Sequence, residues 1–422
     1  MALVVVLAYI ALNLLSPADL FPALNGFRPL LVLALASLPL AVLARLQTPE
    51  IGRLRVQFAL VILFYGWALG SYLPHGRFGA NVNTLVELSP NVIAYFVGVF
   101  VLGSPLSLRM VRLMLVLVAI FVLINALWGM PYALASGAST PYDLVFLDSL
   151  HHTGVRIRGL GMLNDPNVFG EFLLMILPML YVGKKDSGLG VGYVVVIPVT
   201  ILFLVGVYFT GSRGTEMGVA ALVALFLIRR FKAIGVVVSA LFGGLLLIVV
   251  NATTTRTVGF REGLDRLAIW SDGMAYFKSS PVWGIGWGAF QDRQGMTAHN
   301  SFLLCAAELG IVGYFLWMSI IVVTMIQLSR IPKLMAQSNP AMARWASAVS
   351  VSLGVYLFIA FFLSRAYELP LFLLFGMAGA IIASAGGDDA VPLRGTGWPL
   401  WSFGLCVGTL ALIWVMLRLR VV

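Results

Sequence analysis

The chain has 422 residues, 60% apolar by type and only 10% charged, with a mean hydropathy of +0.99. A soluble surface ordinarily takes about a quarter of its residues from the charged types, so a soluble domain, a secreted disulfide scaffold and a disordered segment are all excluded. The formal charge of +10 comes from 27 basic residues, five of them lysine. These are scattered among short loops with no basic stripe, so no nucleic-acid partner is expected.

Lipid is then the solvent, and membrane lipids are the first expected partners. A span needs about 20 mostly apolar residues to cross a hydrocarbon core about 30 Å thick. Such windows fall near 2–16, 28–44, 56–73, 89–103, 110–128, 166–183, 192–211, 215–229, 233–250, 300–327, 345–363, 366–384 and 399–417. They predict an all-α polytopic membrane protein, one transmembrane domain over 1–422 with twelve or thirteen helices. The opening MALVVVLAYIALNLL lacks a basic n-region and reads as an uncleaved first span.

Orientation follows the short loops that hold lysine and arginine. An inner N-terminus places fourteen of the 27 basic residues, Arg53, Arg55, Arg112, Arg330 and Arg394 among them, in the inner loops. With thirteen spans, Arg418 and Arg420 end outside; one window that does not cross would return them inside. Two segments on the outer side, expected to be periplasmic, exceed simple connectors: 129–165 and 251–299. In the second, Phe260, Leu264, Leu267 and Met274 are spaced for one helix face, with Arg261, Glu262, Asp265 and Arg266 between them. That pattern predicts an amphipathic helix along the membrane surface.

The outer basic residues are almost all arginine, whose planar fork of donors grips phosphate or carboxylate bidentately. In Arg156–Phe172, Asp165 reads as an N-cap with Pro166 at the first helical position and Arg158 just before. A phosphate there would meet both the arginine and free helix amides; the alternative is a snorkelling arginine and a plain cap. In Thr210–Gly218, a Gly-Ser-Arg-Gly turn holds Arg213 between two spans, and Glu216 is its nearest acid in sequence. Arg266 and Trp270 are four apart, as are Glu262 and Arg266, so a surface ion pair competes with a site.

His299 and Asn300 precede a long span in which Asn300, Leu304 and Glu308 share a stripe. A histidine there suits proton acceptance from a hydroxyl, and Glu308 is costly unless partnered. Arg365, in LSRAYELP, is a further cation with Glu368 nearby. His151 and His152 beside Asp148 are a poor metal site, since adjacent histidines point apart. The run Gly284-Ile285-Gly286-Trp287-Gly288 lacks the strand and helix of a nucleotide loop.

Taken in order, Arg158…Asp165-Pro166-Asn167, Gly211-Ser212-Arg213-Gly214, Arg266…Trp270, Pro281…Gly284-Ile285-Gly286 and His299-Asn300…Glu308-Leu309-Gly310…Gly313 resemble the O-antigen ligase and polymerase superfamily of bacterial inner-membrane proteins. The resemblance covers about 156–313. It implies an inverting, metal-independent glycosyltransferase of the inner membrane, working on the periplasmic side without a cofactor. The implied donor is a glycan on undecaprenyl pyrophosphate. The acceptor is a sugar hydroxyl of lipid A–core in the ligase branch, or another lipid-linked repeat in the polymerase branch. By the same resemblance Arg158, Arg213 and Arg266 are the candidate pyrophosphate clamps and His299 the candidate base. Asn300, Asp165, Asn167, Arg261, Arg365 and Glu308 are candidate substrate-binding residues. A polyprenyl-glycan flippase is the reading from another class.

Overall fold

A computed structural model describes residues 2–16, 53–76, 80–137, 144–147, 154–182, 192–232 and 256–419, with a few isolated positions between them. The windows at 28–44 and 233–250 lie almost wholly outside these residues, as do Asp148, His151 and His152. Of 256–265 only the backbone is described, so the side chain of Arg261 lies outside as well.

The described residues form an all-α polytopic membrane protein. Its helices are α1 (Ala2–Leu15), α2 (Arg55–Gly70), α3 (Ala80–Val101), α4 (Pro105–Ser136), α5 (Pro166–Leu180), α6 (Tyr193–Thr210), α7 (Arg213–Phe231), α8 (Arg256–Ser279), α9 (Ala289–Gln294), α10 (Ser301–Leu334), α11 (Pro340–Ala360), α12 (Leu369–Ser384), α13 (Gly387–Ala390) and α14 (Trp398–Leu419). Seven helical stretches are long and apolar enough to cross a bilayer: Arg55–His75, Thr84–Val101, Pro105–Ser136, Tyr193–Thr210, Ser301–Leu334, Pro340–Ala360 and Trp398–Leu419. Three shorter apolar helices, α1, α5 and α12, accompany them.

Helix starts follow local chemistry. Ser104 and Ser107 cap α4 reciprocally, and Asp165, Ser212, Asn300 and Asn339 each accept an amide in the first turn of the helix that follows. Where helices meet in lipid, small residues let backbones approach. At the α3–α12 contact, a Cβ on Gly98 would sit 3.1 Å from Gly376 Cα.

Two ends of the bundle are chemically distinct. At one, Asp388 of α13 accepts the amides of Arg55 and Val56 at 2.9 and 3.0 Å and the side chain of Gln327 at 2.8 Å. Arg112 donates there to the carbonyls of Met179 and Val182 at the end of α5. The other end gathers the starts of α5, α7, α10 and α12; we call it the site end. The end of α14 belongs to it too, because Ile413 packs with Trp270, Met274 and Leu303.

Two boundaries depart from the hydropathy windows. α3 begins at Ala80, nine residues before its window, and α4 runs to Ser136, absorbing the first part of 129–165. Further along that segment, Val145–Leu147 (β1) and Val155–Ile157 (β2) pair antiparallel, a ribbon favoured by β-branched and aromatic residues. Helix α8 forms within 251–299, but Ile269, Trp270 and Met274 are buried against protein rather than left to the membrane surface.

Candidate active site

The ribbon leads directly into the first motif. Arg158 donates its backbone amide to Leu144, and its guanidinium lies 5.2 Å from the centre of the Phe146 ring. Asp165 is the N-cap of α5: its Oδ1 accepts from Asn167 and Val168 at 2.8 and 3.1 Å. The carboxylate therefore occupies the helix amides that a phosphate would have used. The carbonyl of Asn167 accepts from the Thr215 hydroxyl at 3.4 Å, which binds the start of α5 to the start of α7.

Thr215 directly follows the Gly211–Gly214 turn motif. Gly211 adopts a left-handed φ of 60° between α6 and α7, and Ser212 caps α7 so that Arg213 is its first residue. Arg156, which sequence reasoning passed over, donates through Nε to the Thr210 carbonyl at 2.8 Å and ties the ribbon to this turn. Arg213 is half-buried, with Glu216 as its electrostatic partner.

The segment 361–368, between α11 and α12, is where the motifs meet. Phe361 packs edge-on against Trp270, and the Trp270 indole donates to the Ala298 carbonyl at 3.0 Å. Arg266 stands one turn before Trp270 on α8, half-buried. A Cβ on Gly214 would touch Phe362 at 3.3 Å. Ser301 donates to the Leu363 carbonyl and accepts the Arg365 amide, both at 2.6 Å. His299, two residues earlier, holds a left-handed φ of 48°, uncommon for a residue with a side chain and of the kind that collects at functional sites.

Arg365 is a largely enclosed cation. Its Nη1 donates to Glu368 at 3.1 Å, and its side chain is 21% exposed. Glu171 of α5, only 2% exposed, shares with it a pocket of about 10 Å³ that Tyr356 and Glu368 also line. That is about the room of one water. Burial works to lower the Arg365 pKa, but Glu368, Glu171, Tyr356 and Asp165 together raise it above the ordinary arginine value. Glu171 lies in an apolar window; the signal that would have found it is its charge within a span.

Glu308 has a different role. Its Oε1 accepts the Phe290 amide at 3.2 Å, at the start of α9. Immediately after it α10 is broken at Gly310, whose φ of 64° and ψ of −171° are not helical. The loop Pro281–Gly286 fits the break. Ile285 and Gly286 donate to the carbonyls of Ala307 and Glu308, both at 3.0 Å, and the Pro281 carbonyl accepts from Ile311 at 2.7 Å. The glycine-rich run is thus a splint for a broken helix.

Of the sequence candidates, then, Arg213, Arg365, Asp165, Asn167, His299 and Asn300 gather around 361–368, and Arg266 is linked to it through Trp270. Asn300 caps α10, and its Nδ2 is buried without a hydrogen-bond partner. Arg158 is set beside the group by the ribbon, and Glu308 sits beneath it as a scaffold. The fold and this group define a multi-pass membrane protein with several arginines and a histidine assembled at one end of its bundle. Residues 198–318 match the family model described as O-antigen ligase. That segment overlaps the motifs from Gly211 to Gly313 and supports their resemblance to the O-antigen ligase and polymerase superfamily. No curated protein matches the chain.

Proposed function

We propose that the protein is an O-antigen ligase of the bacterial inner membrane. In this reading it transfers a glycan from undecaprenyl pyrophosphate to a sugar hydroxyl of lipid A–core at the periplasmic face. The observation that carries the reading is the convergence on 361–368 of His299, through Ser301, with Arg213 and Arg365. A diphosphate leaving group needs cations where its charge develops, and an acceptor hydroxyl needs a nearby proton acceptor.

The step breaks the bond between the anomeric carbon and pyrophosphate oxygen, and the electron pair stays on that oxygen. The acceptor oxygen attacks from the opposite face and inverts the centre. Its proton passes to His299 and the arginines face the pyrophosphate. The residues themselves supply proton transfer and charge stabilisation, in keeping with transfer free of metal and cofactor. Segments 129–165 and 251–299 are then the periplasmic parts.

Arg213→Ala and His299→Ala test these roles. Each should cut transfer by about a hundredfold or more while the protein still inserts at normal level. Transfer at the unaltered rate in both variants would overturn the assignment.

A further inference from the structure

The residue most charged with consequence lies outside the matched segment. Arg365 faces two carboxylates, Glu368 in direct contact at 3.1 Å and Glu171 across the water-sized pocket. Glu171 Oε1 and Arg365 Nε are both buried without a hydrogen-bond partner, although they line the same pocket. A carboxylate in an apolar helix is expensive and survives where it serves a partner. One arginine does not need two acids to be held in place: a single ion pair already neutralises it. Ionised, the second acid makes the cluster net negative.

We propose that Glu171 and Glu368 are positioning residues that hold Arg365 and temper its charge so that the spent diphosphate can leave. This rests on the transfer reading above. A glycosyl diphosphate diester carries about two negative charges, and the released monoester carries up to one more. A bare arginine site would therefore bind product more tightly than donor, and turnover would stall on release. Two facing carboxylates weaken the site for both, and most for the more highly charged product. Three of the five guanidinium N–H groups remain for the ligand once Nη1 has met Glu368 and Nε the pocket.

The experiment measures inhibition of transfer by added undecaprenyl pyrophosphate in Glu171→Gln, Glu368→Gln, Arg365→Gln and the Glu171→Gln/Arg365→Gln double variant. Glu171→Gln should lower the product inhibition constant about tenfold, lower the donor KM, and lower kcat at saturating donor. Glu368→Gln should shift all three in the same direction. Arg365→Gln should raise the inhibition constant, and in the double variant the Glu171→Gln effect should vanish, since it acts through the guanidinium. A merely structural role would lower folded yield or raise KM instead.

Product inhibition unchanged or weakened in either carboxylate variant overturns the proposal, and so does a Glu171→Gln effect that survives without Arg365. Where Glu171→Gln does not fold, Glu368→Gln and its double variant with Arg365→Gln carry the same test. A wild-type protein that neither transfers nor binds undecaprenyl pyrophosphate overturns the functional reading itself. Normal wild-type transfer with unaltered inhibition in the variants overturns only this inference.

Discussion

At the scale of single residues, Ser301 does more than its small size suggests. Its hydroxyl is a two-way tie, donating to Leu363 and accepting from the Arg365 amide, and it follows His299 by two positions. Removing it strands a buried carbonyl and a part-buried amide, which costs about 1–3 kcal/mol. Ser301→Ala should therefore lower the melting temperature by several degrees and slow transfer more than it weakens donor binding. Thermal unfolding in detergent, together with donor titration, checks both; an unchanged kcat would show that the tie is dispensable. Asp165 was legible in advance because capping is a local rule, read from Asp-Pro-Asn alone. Ser301 and Glu171 were not. The first acts on residues more than 60 positions away, and the second is one letter inside an apolar run.

Among the elements, the long helix α10 shows why hydropathy finds a span but not its shape. Glu308-Leu309-Gly310-Ile311 reads as continuous helix, yet Gly310 is left-handed and the 281–286 loop takes up the freed hydrogen bonds. A Cβ on Gly310 would lie 2.2 Å from the Val282 carbonyl oxygen, and one on Gly284 2.2 Å from the backbone of Glu308. Either glycine→alanine change should cost at least about 2 kcal/mol, with transfer lost as His299 loses its support. Normal melting of Gly310→Ala would show that the break is not needed. The spans themselves were readable from length and apolarity. The surface helix was half-read: its existence followed from spacing, but its burial through Trp270 depends on α10 and α14, which no local pattern contains.

For the molecule as a whole, the described residues fall into two ends. Lys278 and Arg418 line one pocket between α8 and α14, at the end that holds Arg365. The end of α14 therefore shares a side with the site, although basic residues at a terminus would by themselves have been placed with the other loops. Arg53 and Asp389 pair at the opposite end. Single cysteines at Lys278 and Arg418 should react with an impermeant reagent from the side opposite to that which labels cysteines at Arg53 and Arg394. Labelling of all four from one side would break the two-ended arrangement.

The most direct test of the central claim uses the purified protein with an undecaprenyl-pyrophosphate glycan, offered lipid A–core or further lipid-linked glycan in separate reactions without metal or nucleotide. Products are separated by gel and weighed by mass spectrometry. The expected product is glycan joined to lipid A–core, abolished in His299→Ala. A ladder of lengthened lipid-linked glycan that forms without core would contradict the ligase assignment, and accumulation of glycan in vesicles with no covalent product would contradict transfer altogether.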